Sequence, residues 1–469
     1  MRIDRLELKN FKKFAEQAFE FPRSVGAAPE AGSFHALIGE NGSGKTSVLD
    51  AAAVALGVWL VKVPDSSLAN SRRPLALSEK RLELVRSGDR SLFQEAPGDV
   101  SVKAFGRIEE QDKLSWEQRI SAGKSRASNA GSKQALDVVR DAYRRAQGAE
   151  RVLLPIIAYY GAGRAWMAHH ERSKAKARSN GPARRWEAFY DCLNERIRLS
   201  DLAGWFQGEA IAKGNRGGSH RPGFEVVRRA VLRSVPEADD IWYDGDRKEI
   251  VLSIAGGAQP LSNLSAGQRT MLALVADIAV KAVTQNNYLV PPGKLTADDK
   301  PLPRVLAQTP GVVLIDELDV HLHPKWQRGV VQNLRSLFPR IQFIVTTHSP
   351  FIVQSLRGEE LINLEGQSVP QLGNLSVEQI AQGLMGVIRP DVSEQYEQMV
   401  EAAKDYLLTL EEASASPESK LADYEKKLSD RIAPYADNPA FQAFLDLKRA
   451  GKLGGRNGSA DQMAEPEGA

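Results

Sequence analysis

The sequence predicts a mixed α/β fold in which a buried parallel sheet carries its chemistry along one edge. Three observations predict it. The apolar run Phe34-His35-Ala36-Leu37-Ile38 leads directly into Gly39-Glu40-Asn41-Gly42-Ser43-Gly44-Lys45-Thr46, and then into an Ala/Val/Leu-rich helical stretch, Ser47–Leu60. Far downstream, Gly311-Val312-Val313-Leu314-Ile315 ends in two carboxylates, Asp316 and Glu317. A further apolar run, Gln342–Thr347, ends at His348-Ser349-Pro350. Short continuous apolar runs separated by helical patterns read as strands buried on both faces, and in such sheets ligands gather at the carboxyl ends of the strands.

Taken from the N-terminus, Leu6 and Leu8 alternate with Arg5, Glu7 and Lys9, the period of a half-buried strand, and a second strand is expected around Gln17–Phe21. The glycine-rich segment after Ile38 has the full P-loop spacing. Gly39, Gly42 and Gly44 let the backbone turn its amides toward phosphate oxygens. Lys45 neutralises the β- and γ-phosphates, and Thr46 offers a hydroxyl to Mg²⁺. Glu40, Asn41 and Ser43 complete the loop and count with these as candidate nucleotide contacts.

At the end of the second run, Asp316 is placed to hold Mg²⁺ and Glu317 to polarise the water that attacks a γ-phosphate. His348, ending a neighbouring strand, is placed to hydrogen-bond that phosphate. Between the halves lies Leu264-Ser265-Ala266-Gly267-Gln268-Arg269, followed by a helical run, Thr270–Val283. A small-residue loop opening a helix offers amides to an anion. The P-loop already cradles the chain's own nucleotide, so a second anion site makes sense across a head-to-tail pair of chains.

Composition sets outer bounds. The chain has 469 residues, 42% of them hydrophobic, enough for a large core. One cysteine, Cys192, excludes an intrachain disulfide framework and suits a reducing compartment, so a cytoplasmic location is expected. No secretory signal and no run of 18 apolar residues is visible, so neither export nor a membrane span is expected. The net charge of +3 is mild, but between Arg164 and Arg233 there are 15 Lys/Arg against 7 Asp/Glu. Basic, loop-like stretches are expected at Glu171–Arg185, Ala212–Gly223 and Ser121–Lys133, and together they favour an anionic partner. From Asp391 to Glu412 acidic residues dominate a helical pattern.

The order of these motifs resembles that of ABC-class ATPases: P-loop, signature loop, Asp-Glu strand, then histidine. The resemblance implies that Ser265 and Gly267 reach the partner chain's nucleotide and that Leu318-Asp319-Val320-His321 is the dimer-contacting loop, with Asp319 near the nucleotide. Within that class the opening Leu6-Glu7-Leu8-Lys9-Asn10-Phe11 is similar to the RecF, SMC and OLD branch. The runs Asp316-Glu317-Leu318-Asp319-Val320-His321-Leu322-His323-Pro324 and Thr346-Thr347-His348-Ser349-Pro350 resemble its compact bacterial members. The likeness covers roughly 1–60 and 152–364. The implied fold is an ABC-type P-loop ATPase head with an inserted helical lobe and a C-terminal helical extension.

On that reading the head begins in 1–60, is interrupted by an inserted lobe of short helices at 61–150 and by a basic helical insertion with strands at 151–260, and resumes at 261–364. A helical region, 365–450, follows, with helices at Val377–Met385, Glu394–Glu412 and Leu421–Ala433, and 451–469 reads as a disordered tail. The glutamine that ABC proteins place between P-loop and signature has no clear match. The end of the Val152–Ala158 strand reads Tyr159-Tyr160-Gly161-Ala162-Gly163-Arg164, and Gln94 follows no comparable strand. Arg164 is a candidate for phosphate or partner contact.

The segment 438–449 is similar to the ending of PtuA-type ATPases of Septu and retron-linked anti-phage systems, which lack a nuclease domain and act with an HNH nuclease, PtuB. The resemblance therefore implies ATP and Mg²⁺ as ligands, a homodimer or larger homo-oligomer, an HNH nuclease partner, and nucleic acid (DNA, retron msDNA included). A RecF/SMC-like repair or recombination ATPase and a transporter's nucleotide-binding subunit stay open as alternatives.

Overall fold

The computed structural model describes residues 1–415 apart from 25, 27, 29, 66–67, 69–70, 88–89, 149, 166–184, 196–198, 236, 291–300, 367–371 and 388–393, together with Lys426 and Leu445. The chain divides into two units, Met1–Met385 and Gly386–Ala469. In the first, β1 (Arg2–Phe11), β2 (Phe14–Glu20), β3 (Ser33–Ile38) and α1 (Lys45–Leu56) are followed by a hairpin, β4 (Leu82–Ser87) and β5 (Arg90–Glu95). Next come β6 (Val100–Ile108), β7 (Gln111–Ile120), α2 (Lys133–Gln147) and β8 (Ile156–Tyr160). A helical pair, α3 (Leu199–Asn215) and α4 (Pro222–Ser234), precedes the meander β9 (Ala238–Asp244), β10 (Glu249–Ile254) and β11 (Gly257–Pro260). The unit closes with α5 (Ala266–Gln285), α6 (Arg304–Gln308), β12 (Gly311–Ile315), α7 (Pro324–Leu337), β13 (Ile341–Thr346), α8 (Pro350–Gln354), β14 (Leu361–Asn363) and α9 (Val377–Met385).

Five strands form the parallel sheet, in the order β14-β3-β13-β12-β8. Its three central strands are buried at every residue, which is why they read as unbroken apolar runs. A four-stranded antiparallel sheet, β2-β1-β6-β7, lies apart from it, and α1 fills the space between them. Leu6, Leu8 and Val102 from one sheet and Ile157, Leu314 and Ile344 from the other share a cluster with Val48, Leu49 and Ala52 of α1. The last turn of α1 is tied down by β7: Trp116 Nε1 donates to Ala55 O at 2.9 Å and Gln118 Nε2 to Val54 O at 3.0 Å. These bonds fix the buried end of α1, whose carbonyls the Gly57 N–H also reaches, to the antiparallel sheet. Gln342 of β13 bonds both backbone groups of Ile3, at 2.8 and 2.7 Å, and locks the two sheets in register.

The opposite face of the parallel sheet packs on α4, α5 and α7. Ahead of α5, the β9–β11 meander packs against α3 and α4. The second unit contains α10 (Glu394–Ala415), where Tyr406 and Leu410 pack with Leu445.

The inserted lobe differs from the sequence expectation of short helices. The described residues of 61–150 form four strands and one α-helix, and β6 and β7 extend the sheet begun by β1. The reason is a period of two: Val100, Val102, Ala104 and Ile108 are buried while Ser101, Lys103 and Arg107 alternate with them. The Ala212–Gly223 stretch is also not one loop. Its first residues finish α3, and Pro222, at the first helical position, starts α4. Residues 174, 176 and 178 of the first basic stretch, the helix expected at 421–433, the tail and segment 438–449 lie outside the described residues, Lys426 and Leu445 excepted. No helix among the described residues is long and apolar enough to cross a membrane.

Candidate functional site

Four strands of the parallel sheet end on one edge, and each delivers a different part of the site. After Ile38, the chain turns through Gly39, Gly42 and Gly44, with φ of +148°, +81° and +104°. Gly44 could not be another residue without displacement: a Cβ there would stand 2.6 Å from the Phe14 ring and 2.8 Å from Lys13 Cδ. Lys13 Nζ donates to Gly42 O at 2.6 Å, so the β1–β2 turn braces the loop from outside. Lys45 is buried, and its Nζ donates to Gly39 O at 2.7 Å and Glu40 O at 2.9 Å. Burial lowers its pKa, against the opposing pull of Asp316, Glu365, Glu317 and Asp319. Ser43 Oγ is buried inside the loop without a hydrogen-bond partner.

Asp316, at the end of β12, joins two strands and the P-loop. Its Oδ2 accepts from Thr46 Oγ1 at 3.0 Å and its Oδ1 from Thr346 Oγ1 at 2.6 Å. Thr346 Oγ1 also accepts the backbone N–H of Glu317 at 2.7 Å. That bond holds Glu317 at φ +48°, the left-handed region, which costs an L-residue energy and persists only where surroundings enforce it. Asp319 Oδ1 accepts from Thr347 Oγ1 at 2.6 Å and from the His348 backbone N–H at 3.1 Å. His348 is exposed and lines a cleft of about 350 Å³ with Gly39, Glu40, Asn41, Thr347 and Glu365. The structure thus brings Gly39–Thr46, Asp316, Glu317, Asp319 and His348 to one edge.

Ser265 and Gly267 stand at the start of α5. Ser265 is exposed and its Oγ accepts the Gln268 N–H at 3.2 Å, while Gln268 Oε1 accepts from Ser265 N at 3.1 Å, a reciprocal cap. Gly267 is buried, and its lack of a side chain also serves packing within the chain. A Cβ there would meet His321 O at 2.5 Å, so glycine lets α5 pack against the 318–322 loop of its own chain. Gly161 follows β8 at the same sheet edge, and Arg164 falls in a short turn, Ala162–Ala165. Gln94 lies in the β4–β5 hairpin, opposite Glu83, and on no strand of the parallel sheet.

Several of the bonds that hold the site could not be read from the sequence. Thr346 and Thr347 tie the acids together. Glu365 Oε1 accepts the Glu40 N–H at 2.6 Å. Beneath the P-loop, buried Asp50 of α1 is paired with Lys12 and with Arg73 at 2.7 Å, and Arg73 reaches Glu79 at 3.2 Å. A polar residue within the Ala-rich run was the available signal for Asp50. Glu365 had none, since its role depends on β14 lying beside β3.

Two families match the chain: residues 5–204 fit one described as "AAA domain", and 233–354 one described as "AAA domain, putative AbiEii toxin, Type IV TA system". The Septu protein PtuA of Bacillus mycoides (strain KBAB4) is 26% identical over 449 residues, 92% of this chain and 50% of that protein. The "Retron Vc95 probable ATPase" of Vibrio cholerae serotype O1 biovar El Tor is 36% identical over 138 residues, 29% of this chain and 24% of that one. The chain thus aligns with half or less of the length of these relatives. A solved SMC head, bound to the C-winged helix domain of ScpA, overlays 77% of this chain and 94% of its own, with 16% identity and a TM-score of 0.41.

Proposed function

We propose, from the premise that this chain is an ATPase of the RecF/SMC/OLD type, that it binds and hydrolyses ATP and that its turnover controls a separate nuclease in an anti-phage defence complex. The observation that carries the ATPase reading is the bond from Thr46 to Asp316, which unites the P-loop with the Asp-Glu strand. The residues present fit the nucleotide: glycines at left-handed φ, an unpaired buried hydroxyl at Ser43, and a buried lysine bonded to its own loop's carbonyls. They also fit Mg²⁺, for which Thr46 Oγ1 and Asp316 Oδ2 form a hard oxygen pair. When bound, the ion screens phosphate charge and polarises the γ-phosphoryl group.

Each side chain then has a task. Lys45 leaves the carbonyls of Gly39 and Glu40 for the phosphates, an exchange of neutral acceptors for charged ones. Thr346 fixes the Asp316 carboxylate and, through the Glu317 amide, sets where Glu317 begins. Glu317 orients the attacking water and takes its proton. Asp319 anchors the backbone of His348, leaving the imidazole free to meet the γ-phosphate.

The site is read as shared between two chains. Ser265 and Gly267 open α5 beside their own 318–322 loop, and the P-loop edge provides its own anion cradle, so the α5 start serves a partner's nucleotide. The partner nuclease, HNH and PtuB-like, and nucleic acid at the basic insertion rest on the likeness to PtuA and retron ATPases and on the charge of 164–233. The test uses complementation. Lys45→Ala and Ser265→Arg proteins, each inactive alone, should on mixing recover part of the wild-type ATPase rate, because a heterodimer holds one intact site. If heterodimers form, one intact site is shown to suffice and mixing still restores nothing, the shared site is wrong. A wild-type protein that turns over no ATP rejects the reading as a whole.

A further inference from the structure

A second cleft, of about 550 Å³, lies away from the ATP edge, between α3, α4 and β9. Its size falls in the range of small-ligand sites. Its walls are aromatic: Phe206, Phe224, His220, Trp242 and Tyr243 line it. Phe206 and Phe224 are fully buried and give it a rigid floor. His220 packs on Phe224 with ring centroids 4.1 Å apart and planes 9° from parallel, and Trp205 lies 10° from the same ring at 6.3 Å. Three nearly parallel rings are therefore already stacked before any ligand arrives. The His220 Nδ1 is shielded from solvent and has no hydrogen-bond partner. Burial lowers the pKa of this imidazole, with Lys213 and Arg228 acting in the same direction and Asp240 opposing. Burial therefore favours the neutral ring, which can stack without a counter-ion.

The polar groups are spaced to read an edge. Arg228 Nε donates to Asp240 Oδ1 at 2.6 Å, so the cleft offers a donor and an acceptor side by side, with Lys213 at its lining. The surrounding chain is basic: between Ala212 and Arg233 there are six Lys/Arg and one acid, Glu225. Apolar walls alone would suit a lipid or a drug-like molecule, and a basic surface alone would suit any polyanion. The charged lining is balanced, Lys213 and Arg228 against Glu225 and Asp240, so flat rings, an edge-reading ion pair and the basic 212–221 segment beside them together suit a planar heterocycle that carries phosphate.

We propose that this cleft takes an unpaired nucleobase of a single-stranded nucleic acid, stacked along His220, with the adjoining phosphates on Lys213 and the 216–221 turn. The proposal deepens the nucleic-acid reading given above and rests on it. Stacking on aromatic rings tolerates any base, whereas a duplex hides its bases, so the cleft selects strand state rather than sequence.

The experiment measures anisotropy of 5′-labelled 12-mers, single-stranded DNA and RNA and the matching duplex, across a salt series. A pyrimidine mononucleotide serves as competitor. The single strands should bind tighter than the duplex. His220→Ala should weaken them about tenfold, and His220→Phe, which restores a ring, should recover most of that loss. The salt slope should stay unchanged in His220→Ala, because no phosphate contact is removed, and fall by about one contact in Lys213→Gln. Thermal melts of all variants identify any that merely misfold. Equal affinity of wild type and His220→Ala for single strands rejects the cleft while leaving the nucleic-acid reading intact. A mononucleotide that competes fully, with no gain from chain length, assigns the cleft to free nucleotides and rejects the proposal. Absence of any retained nucleic acid at low salt rejects both.

Discussion

The carboxyl edge of the parallel sheet and the cleft between α3, α4 and β9 are built on opposite plans. At the sheet edge, functional side chains hold one another. Thr46, Asp316, Thr346 and the Glu317 amide form one chain of bonds, and Asp319, Thr347 and the His348 amide form a second. The site is preorganised, and its strain at Glu317 is retained by that network. In the cleft, rings are stacked but the His220 Nδ1 is unpaired, and the one short ion pair, Arg228 with Asp240, sits half-exposed. The difference teaches where precision is needed. Bond-making chemistry demands fixed acids, whereas capturing a flexible strand demands flat surfaces and loosely held charge.

Three substitutions sharpen or break this contrast. The largest effect is expected of Glu317→Gln, which keeps the backbone bond to Thr346 but removes the proton acceptor. ATP binding should persist while turnover falls by about 10²-fold or more, read by single-turnover hydrolysis beside a nucleotide-binding assay. Unchanged hydrolysis would dismiss Glu317 from its assigned task. Next is Thr346→Val, isosteric but unable to bond either Asp316 or the Glu317 amide. If acids at this edge work as a unit, turnover should drop about tenfold and the Mg²⁺ concentration giving half-maximal rate should rise. A variant that loses stability alone, with normal turnover per folded molecule, would make Thr346 a packing residue. The smallest effect belongs to the cleft. Arg228→Met should change the unfolding free energy, read by denaturant titration, by no more than about 1 kcal/mol, because a half-exposed ion pair gains little over solvated charges. A loss of several kcal/mol would mean the cleft is as tightly networked as the sheet edge, and the contrast would fail.

The sequence exposed the two regions unequally, for the same physical reason. Phosphate binding by backbone amides requires glycines at fixed spacing, and buried parallel strands must be apolar throughout. Gly39–Thr46, Gly311–Glu317 and Gln342–His348 were therefore legible as contiguous strings. The cleft draws Phe206 from α3, His220 and Phe224 from either side of the α4 start, and Trp242 from β9, with no spacing that a string could reveal. Residues 61–150 were misread because strands β6 and β7 depend on β1, nearly a hundred residues earlier in the chain, as an edge to pair with. The supporting bonds of Glu365 and Thr346 were hidden for a related reason: each crosses strands that are neighbours in the sheet and remote in sequence. Gly267 shows a subtler limit. Its place in the loop was legible, whereas its close approach to His321 needed the fold.

The strand order β14-β3-β13 has a consequence for how the protein is made. β3 is buried at every residue, yet both of its neighbours come from 341–363. Those strands emerge about 300 residues later, which at ~5–20 residues per second leaves β3 without its native neighbours for roughly 15–60 s. During that interval Phe34–Ile38 lacks its sheet partners, and α1 behind it lacks the packing it later finds on β12 and β13. The nucleotide loop therefore cannot be set in place as an early local unit. It is completed only once 341–363 has emerged, so a chain cut short before residue 341 carries the entire P-loop and still lacks the strand that joins β3 to β12.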